Sequence, residues 1–254
     1  MCAYRHHSQQ NSARSSLIPQ CGWRQRGFYG RSYRVKERIT AADLIQRRDI
    51  TVRHEIEMLQ HKLHRNYVTT KTGVASFEDD HHIRIDFENG DMEIIEAGNI
   101  LIATGSRPAQ PPNVSFDTVN VGDSDHILQM ETLPRNLVVV GAGVIGMEYA
   151  SMLNALDIDV TVVDGRTEIL SFLGREIVGE FIHHLRYRGI KLRLGETVDT
   201  IENIDANNVV VHLASGKRIK ADMVLFAAGR LSNTEDLCVD KAAIEPDERG
   251  RIAR

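Results

Sequence analysis

Apolar positions between Thr40 and Asn66 recur at helical spacing, with Val52, Ile56, Leu59 and Leu63 falling on one stripe. That rhythm predicts an amphipathic helix over 41–65. Thr40 and Asp43, three residues apart, read as an N-cap pair, and Asn66 closes the far end. The rhythm then shortens. VTTKTGVASF, HIRIDF and MEIIEA read as short strands. Asn89-Gly90, between the last two, predicts a tight primed turn, which needs positive φ. ILIATG, ending at Gly105, reads as a further apolar strand.

The same order returns later in the chain. NVVVHL, the turn ASGK, RIKA and DMVLFAAG repeat strand, tight turn, strand, polar residue, apolar strand and glycine. LIATGSRP and VLFAAGRLS are the two endings. A supersecondary unit written twice is an internal repeat rather than low complexity. Each ending places small residues where a bulky side chain would obstruct a bound cofactor.

The second copy has a clear start. Leu137 to Val140 is a buried apolar strand, followed by the turn Gly141-Ala142-Gly143-Val144-Ile145-Gly146 and an amphipathic helix. In G-x-G-x-x-G the first glycine permits the tight turn and the second lets backbone approach a pyrophosphate. The third lets helix pack on strand. The phosphates then rest on free N–H groups at the positive end of the helix. DVTVVD follows as a second strand and ends in Asp164, 18 residues after Gly146. A carboxylate there is placed to accept hydrogen bonds from a ribose hydroxyl. Arg166, two residues on, could pair with a 2′-phosphate in forked geometry. Ala150 stands where a fourth glycine would, a pattern linked to NADP. The Asp164 and Arg166 pair is compatible with either NAD or NADP.

Composition narrows the classes without choosing among them. The 254 residues are 42% hydrophobic, enough for one large or two ordinary domains. The net charge of −4 provides no basic field for nucleic acid. No apolar run approaches the roughly 20 residues of a membrane helix. The first residues lack the apolar core of a secretory signal. Cys2, Cys21 and Cys238 form no close pair. A cytoplasmic protein is expected. His81-His82 and His183-His184 bring no ligand set with them, so no metal site is assigned.

GAGVIGMEYA, ATGSRP and AAGRLSNT together resemble the flavoprotein pyridine nucleotide-disulfide oxidoreductases, over about residues 22–254. Within that family, RGFYGRSY, DSDHIL and SGKRIKADMVLFAAGR are most similar to its transhydrogenase branch. The resemblance implies an α/β fold: a Rossmann-like NAD(P)-binding domain with a parallel sheet and a β-meander, inserted in an FAD-binding domain of the same type. It implies boundaries at 22–115 for a partial flavin domain, 116–242 for the nucleotide domain, and 243–254 for the return. It places Thr104 and Gly105 near FAD, and lines the nicotinamide nucleotide with Gly141, Gly143, Gly146 and Glu148. Gly229 falls where the nucleotide domain hands back to the flavin domain. No catalytic acid or base is assigned. A homodimer is implied for the intact family.

The second unit runs 88 residues from Gly141 to Gly229; the same length counted back from Gly105 reaches residue 17, where no glycine fingerprint stands. The expectation is a fragment whose first unit has lost its start. RHHSQQN, Arg5 to Asn11, permits G-T-I-P-S-K when back-translated in another frame, so residues 1 to about 21 are read as an out-of-frame segment. In that frame the codons for His6 and His7 exclude the cysteine of a disulfide reductase. The expected parent activity is hydride exchange between NADPH and NAD through FAD. A dihydrolipoyl dehydrogenase-like disulfide reductase is the enzymatic alternative. An inactive product that only binds nucleotide is the alternative from another class.

Overall fold

A computed structural model describes residues 39–253 apart from 112–113, 117–119 and 206–207. The out-of-frame reading of residues 1 to about 21 lies outside the described residues. The described chain forms two compact units, residues 52–107 with 230–253, and residues 39–51 with 108–229.

Helix α1, Ala41–Arg65, has the expected bounds. Thr40 Oγ1 accepts from the Asp43 amide at 3.3 Å, and Asp43 Oδ2 accepts from the Thr40 amide at 2.9 Å. This reciprocal cap satisfies donors that the first turn leaves without carbonyls. The apolar side chain that packs best, Ala41, lies outside the expected stripe. Ala41, Leu44 and Ile45 line a hollow with Tyr149, Met152, Leu153 and Leu156. The spacing set the helix; Val52 and Ile56 of the stripe are half-buried, whereas Leu59 and Leu63 lie towards solvent.

In the first unit, strands β1 (Val74–Phe77), β2 (His82–Asp86) and β3 (Met92–Glu96) form an antiparallel meander. VTTKTG contributes no strand before Val74. Of the turn residues, only Gly90 has positive φ, at +87°. The Gly90 amide donates to the Phe87 carbonyl, and the Phe87 amide to the Asp91 carbonyl. The connection is therefore a longer loop closed by a left-handed glycine, not the two-residue primed turn expected. Phe77 and Val239 are buried, the latter in a 3-10 turn over Val239–Ala242 that packs on β1. Leu101 to Gly105 form no strand, and Leu101 is 90% exposed. A parallel strand needs a neighbour to pair with, and no described strand runs beside these residues. Strand β4, Ser106–Pro108, follows.

The second unit is built on a five-stranded parallel sheet. Its strands are β5 (Val121–Asp123), β6 (Asn136–Val140), β7 (Asp159–Asp164), β8 (Lys191–Leu194) and, later in the chain, Met223–Phe226. Helix α2 (Val144–Asn154) joins β6 to β7, and α3 (Arg175–Tyr187) joins β7 to β8. After β8 come β9 (Val198–Asp205), β10 (Asn208–Leu213) and β11 (Arg218–Ala221), a second antiparallel meander. Met223–Phe226 is then β12, and the sheet order is β5-β12-β6-β7-β8.

Alternation along β6 explains the layers. Leu137 and Val139 pack with Met147, Ala150 and Leu153 of α2 and with Leu185 of α3. Val138 and Val140 pack with Val209, Val211 and Leu213 of the meander. Both faces of the sheet are covered, which is why its strands read as unbroken apolar runs. Strand β13, Arg230–Ser232, pairs with β4, so the two repeated endings meet in one small sheet. Asn233 donates its amide to the Gly105 carbonyl at 3.1 Å, and Arg230 Nε donates to Ser106 Oγ at 2.8 Å.

Candidate functional site

From β6 the chain winds through α2, β7, α3 and β8 to one side, and β12 lies on the other. The order therefore reverses between β6 and β12, and a ligand crevice opens beyond the carboxyl ends of strands at such a point. Gly141 and Ala227 leave those two strand ends. A Cβ on Gly141 would stand 2.6 Å from the Ala227 carbonyl oxygen and 3.1 Å from Ala228 Cα. Gly141 also has φ +109°. Small residues at 227 and 228 let the two ends pass. Gly229, with φ +143°, carries the chain away and accepts from the Ala109 amide at 3.0 Å.

The three glycines of the turn answer different demands. A Cβ on Gly146 would stand 1.9 Å from the Gly141 carbonyl oxygen, so the helix could not seat on its own turn. Gly143 caps α2 with φ −77° and ψ −178°, values open to any residue, and a Cβ there would meet nothing within 4 Å. The fold needs glycine at 141 and 146 but not at 143. No side chain caps this helix. Its first intrahelical bond runs from the Met147 amide to the Gly143 carbonyl at 2.9 Å. The amides of Val144, Ile145 and Gly146 thus lie in the turn that has no helical acceptor. They lie beside the space that Gly143 leaves open, at the positive end of the helix dipole. Glu148 is half-buried one residue beyond Met147.

Asp164 closes the other side. Its Oδ2 accepts from the Ala142 amide at 2.6 Å, so that amide faces the carboxylate rather than the open space. Its Oδ1 accepts from the Arg166 amide at 2.8 Å and from Arg166 Nε at 2.9 Å. Arg166 Nη2 reaches Oδ2 at 2.7 Å. Burial pushes the Asp164 carboxyl up, but the Arg166 side chain and the two amides outweigh it, and the group is held below the ordinary carboxylate value. The carboxylate correspondingly raises Arg166. The structure thus brings Gly141 through Gly146, Glu148, Asp164, Arg166 and Gly229 into one unit. It departs from the sequence-based expectation in one respect, because Arg166 is folded onto Asp164. Thr104 and Gly105 belong to the other unit, where their carbonyls accept from Asn233.

Sequence reasoning passed over the loop after β5. Asp123, buried at that strand's end, accepts from Gln110 Nε2 at 2.8 Å and from the amides of Asp125 and His126. It also bonds His126 Nδ1 at 2.9 Å. Burial raises its carboxyl, but these donors win and hold it low. The Tyr149 hydroxyl donates to the Ser124 carbonyl at 3.0 Å, tying α2 to the same loop. The signal was present in D-S-D-H, since an Asp that accepts amides two and three residues on makes a local turn.

Residues 15–254 match the family described as pyridine nucleotide-disulphide oxidoreductase. The chain belongs to that family. It is 42% identical over 240 residues to the soluble pyridine nucleotide transhydrogenase of Mycobacterium tuberculosis (strain ATCC 25177 / H37Ra), covering 94% of this chain and 51% of that protein. It is 37% identical over 225 residues to the soluble pyridine nucleotide transhydrogenase of Colwellia psychrerythraea, covering 89% and 48%. The chain spans about half the length of the curated relatives it matches. Among solved structures, the HOCl-induced flavoprotein disulfide reductase RclA from Escherichia coli, as its Cu(II) complex, superposes with a TM-score of 0.75 at 29% identity, covering 83% of this chain and 47% of that one. LpdA from M. tuberculosis superposes at 0.85 with 19% identity, over 96% and 53%, and bears on the fold alone. No helix among the described residues is long and apolar enough to cross a membrane.

Proposed function

We propose that the unit over 108–229 binds NAD(H) and NADP(H) at the Gly141–Gly146 turn, and that the protein works as an FAD-dependent transhydrogenase, moving hydride between NADPH and NAD. One observation carries the binding site: Gly143 is a glycine that neither backbone nor packing requires. A ligand lying against that position supplies the missing reason. Its diphosphate would accept from the amides of Val144, Ile145 and Gly146. Glu148 would face the nicotinamide half, and Ala227, Ala228 and Gly229 keep that side of the crevice free of bulk. Asp164 would receive the adenosine ribose. The transhydrogenase relatives support the choice of reaction.

The flavin portion of the proposal covers residues 22–115 and 243–254, with 116–242 as the nucleotide domain. Thr104 and Gly105 fit the edge of a flavin site, because Gly105 turns the chain at φ +73° with no side chain to project, and Asn233 anchors both carbonyls. A flavin held there would supply the redox chemistry that relays hydride from one nicotinamide to the next. The protein's part is orientation and electrostatics. The Asp123 loop and Tyr149 hold α2 in place, and the Asp164 network fixes the Ala142 amide.

Titrating the folded chain with NADH and NADPH, followed by heat and by amide resonances, tests the site. Shifts gathered at 141–148 and 164–166 are expected. A folded sample that gives no heat and no shifts at millimolar nucleotide contradicts the proposal. Flavin absorbance retained after gel filtration with added FAD tests the second half separately.

A further inference from the structure

Asp164 has no acceptor capacity left. An ionised carboxylate offers about four lone-pair directions. All are taken by the Ala142 amide, the Arg166 amide, Arg166 Nε and Arg166 Nη2, at 2.6–2.9 Å. Two of these donors are backbone and stay where the fold puts them. The other two belong to a guanidinium whose side chain is 61% exposed, against 7% for Asp164. A ribose diol that donates to Asp164 therefore meets a site already filled by the neighbouring side chain.

We infer that Arg166 is an internal competitor for the adenosine-ribose position, so that one site takes NAD(H) and NADP(H) by exchanging the partner of a single guanidinium. This rests on the nucleotide-binding reading above. With NAD(H), the ribose hydroxyls replace the fork on Asp164 and Arg166 swings into solvent. The move is balanced rather than free: the ribose hydroxyls give the buried carboxylate hydrogen bonds in place of the fork, while the guanidinium, already 61% exposed, passes into water. With NADP(H), a 2′-phosphate beside a bare Asp164 would be repelled. The guanidinium instead turns an edge of its fork to the phosphate while staying between the two anions, so that its charge still faces the carboxylate. The two backbone donors keep Asp164 charged and oriented in both cases. The selector needs no movement of β7 or of the glycine turn.

A static structural role for Arg166 gives no reason for opposite effects on the two nucleotides, and that sign difference is the test. Calorimetric dissociation constants for NADH and NADPH are measured on the whole chain and on Arg166→Ala, with Arg166→Met as a second variant that keeps the alkyl stem. Losing charge-assisted bonds to phosphate should weaken NADPH about tenfold or more. Freeing Asp164 should tighten NADH by about threefold. Asp164→Asn should weaken NADH and leave NADPH bound as well or better. If Arg166→Ala and Arg166→Met weaken both nucleotides alike, or leave NADH unchanged, the exchange is wrong while the binding site stands. If the folded wild-type chain binds neither nucleotide, the site itself is wrong and the exchange falls with it.

Discussion

The two copies of the repeat form the same turn but not the same strand. In the first, Gly90 donates to Phe87 and Phe87 to Asp91; in the second, Gly216 donates to Leu213 and Leu213 to Lys217. Both glycines are left-handed, at φ +87° and +81°. The apolar strands that follow diverge. Met223–Phe226 pairs with β5 on one side and β6 on the other, and Leu225 is 1% exposed. Its counterpart Leu101 is 90% exposed in a segment with no strand. The turn is settled by a few neighbouring residues, whereas a parallel strand exists only when other strands arrive beside it.

The largest expected effect separates the copies. Leu225→Ala removes a side chain closed in by helices and sheet and should cost about 2–5 kcal/mol. Leu101→Ala should change stability by no more than about 0.5 kcal/mol. Urea unfolding of the two variants measures the difference, and equal losses would mean that Leu101 is packed. The next effect should instead unite the copies. A Cβ at Gly90 or Gly216 meets nothing within 4 Å, so only the left-handed backbone is penalised. Gly90→Ala and Gly216→Ala should each cost about 1 kcal/mol or slightly more. A marked inequality would show that one turn depends on its surroundings.

Acid provides a smaller contrast. Asp123 and Asp164, both in the second unit, are buried carboxyls held below their ordinary value. A depressed folded value stabilises above the unfolded value, near about 4, and that contribution is lost as pH falls through the folded one. The second unit should therefore loosen progressively below about pH 4. In Asp123→Asn the remaining acid dependence should be shallower. Hydrogen exchange at Val139 and Val162 against pH follows this directly, and a slope unchanged by the substitution would remove Asp123 from the account.

What could be read from the sequence follows the same division. The cap at Thr40 and Asp43, the glycine turn, β6, β7 and the duplicated hairpins depend on residues close in the chain, and their signals were plain. The strand expected at ILIATG was misread because its apolar run is only half the instruction. The Asn-Gly turn was misread in type, because Asn89 keeps negative φ and only Gly90 crosses over. At the candidate site, the roles of the glycines were visible in their spacing. That Arg166 folds back to fill Asp164 was not, since it depends on side-chain geometry two residues apart at a strand end. Nor could spacing reveal that Gly143 alone among the three is unneeded by the fold.

That last point leads to the most direct measurement. Gly143→Ala should leave the melting temperature and circular dichroism of the chain essentially unchanged, because the backbone there is permissive and the space is open. The same variant should bind NADH and NADPH at least about tenfold more weakly, a loss of about 1.4 kcal/mol or more. A stable Gly143→Ala protein that binds both nucleotides as tightly as the parent would contradict the account.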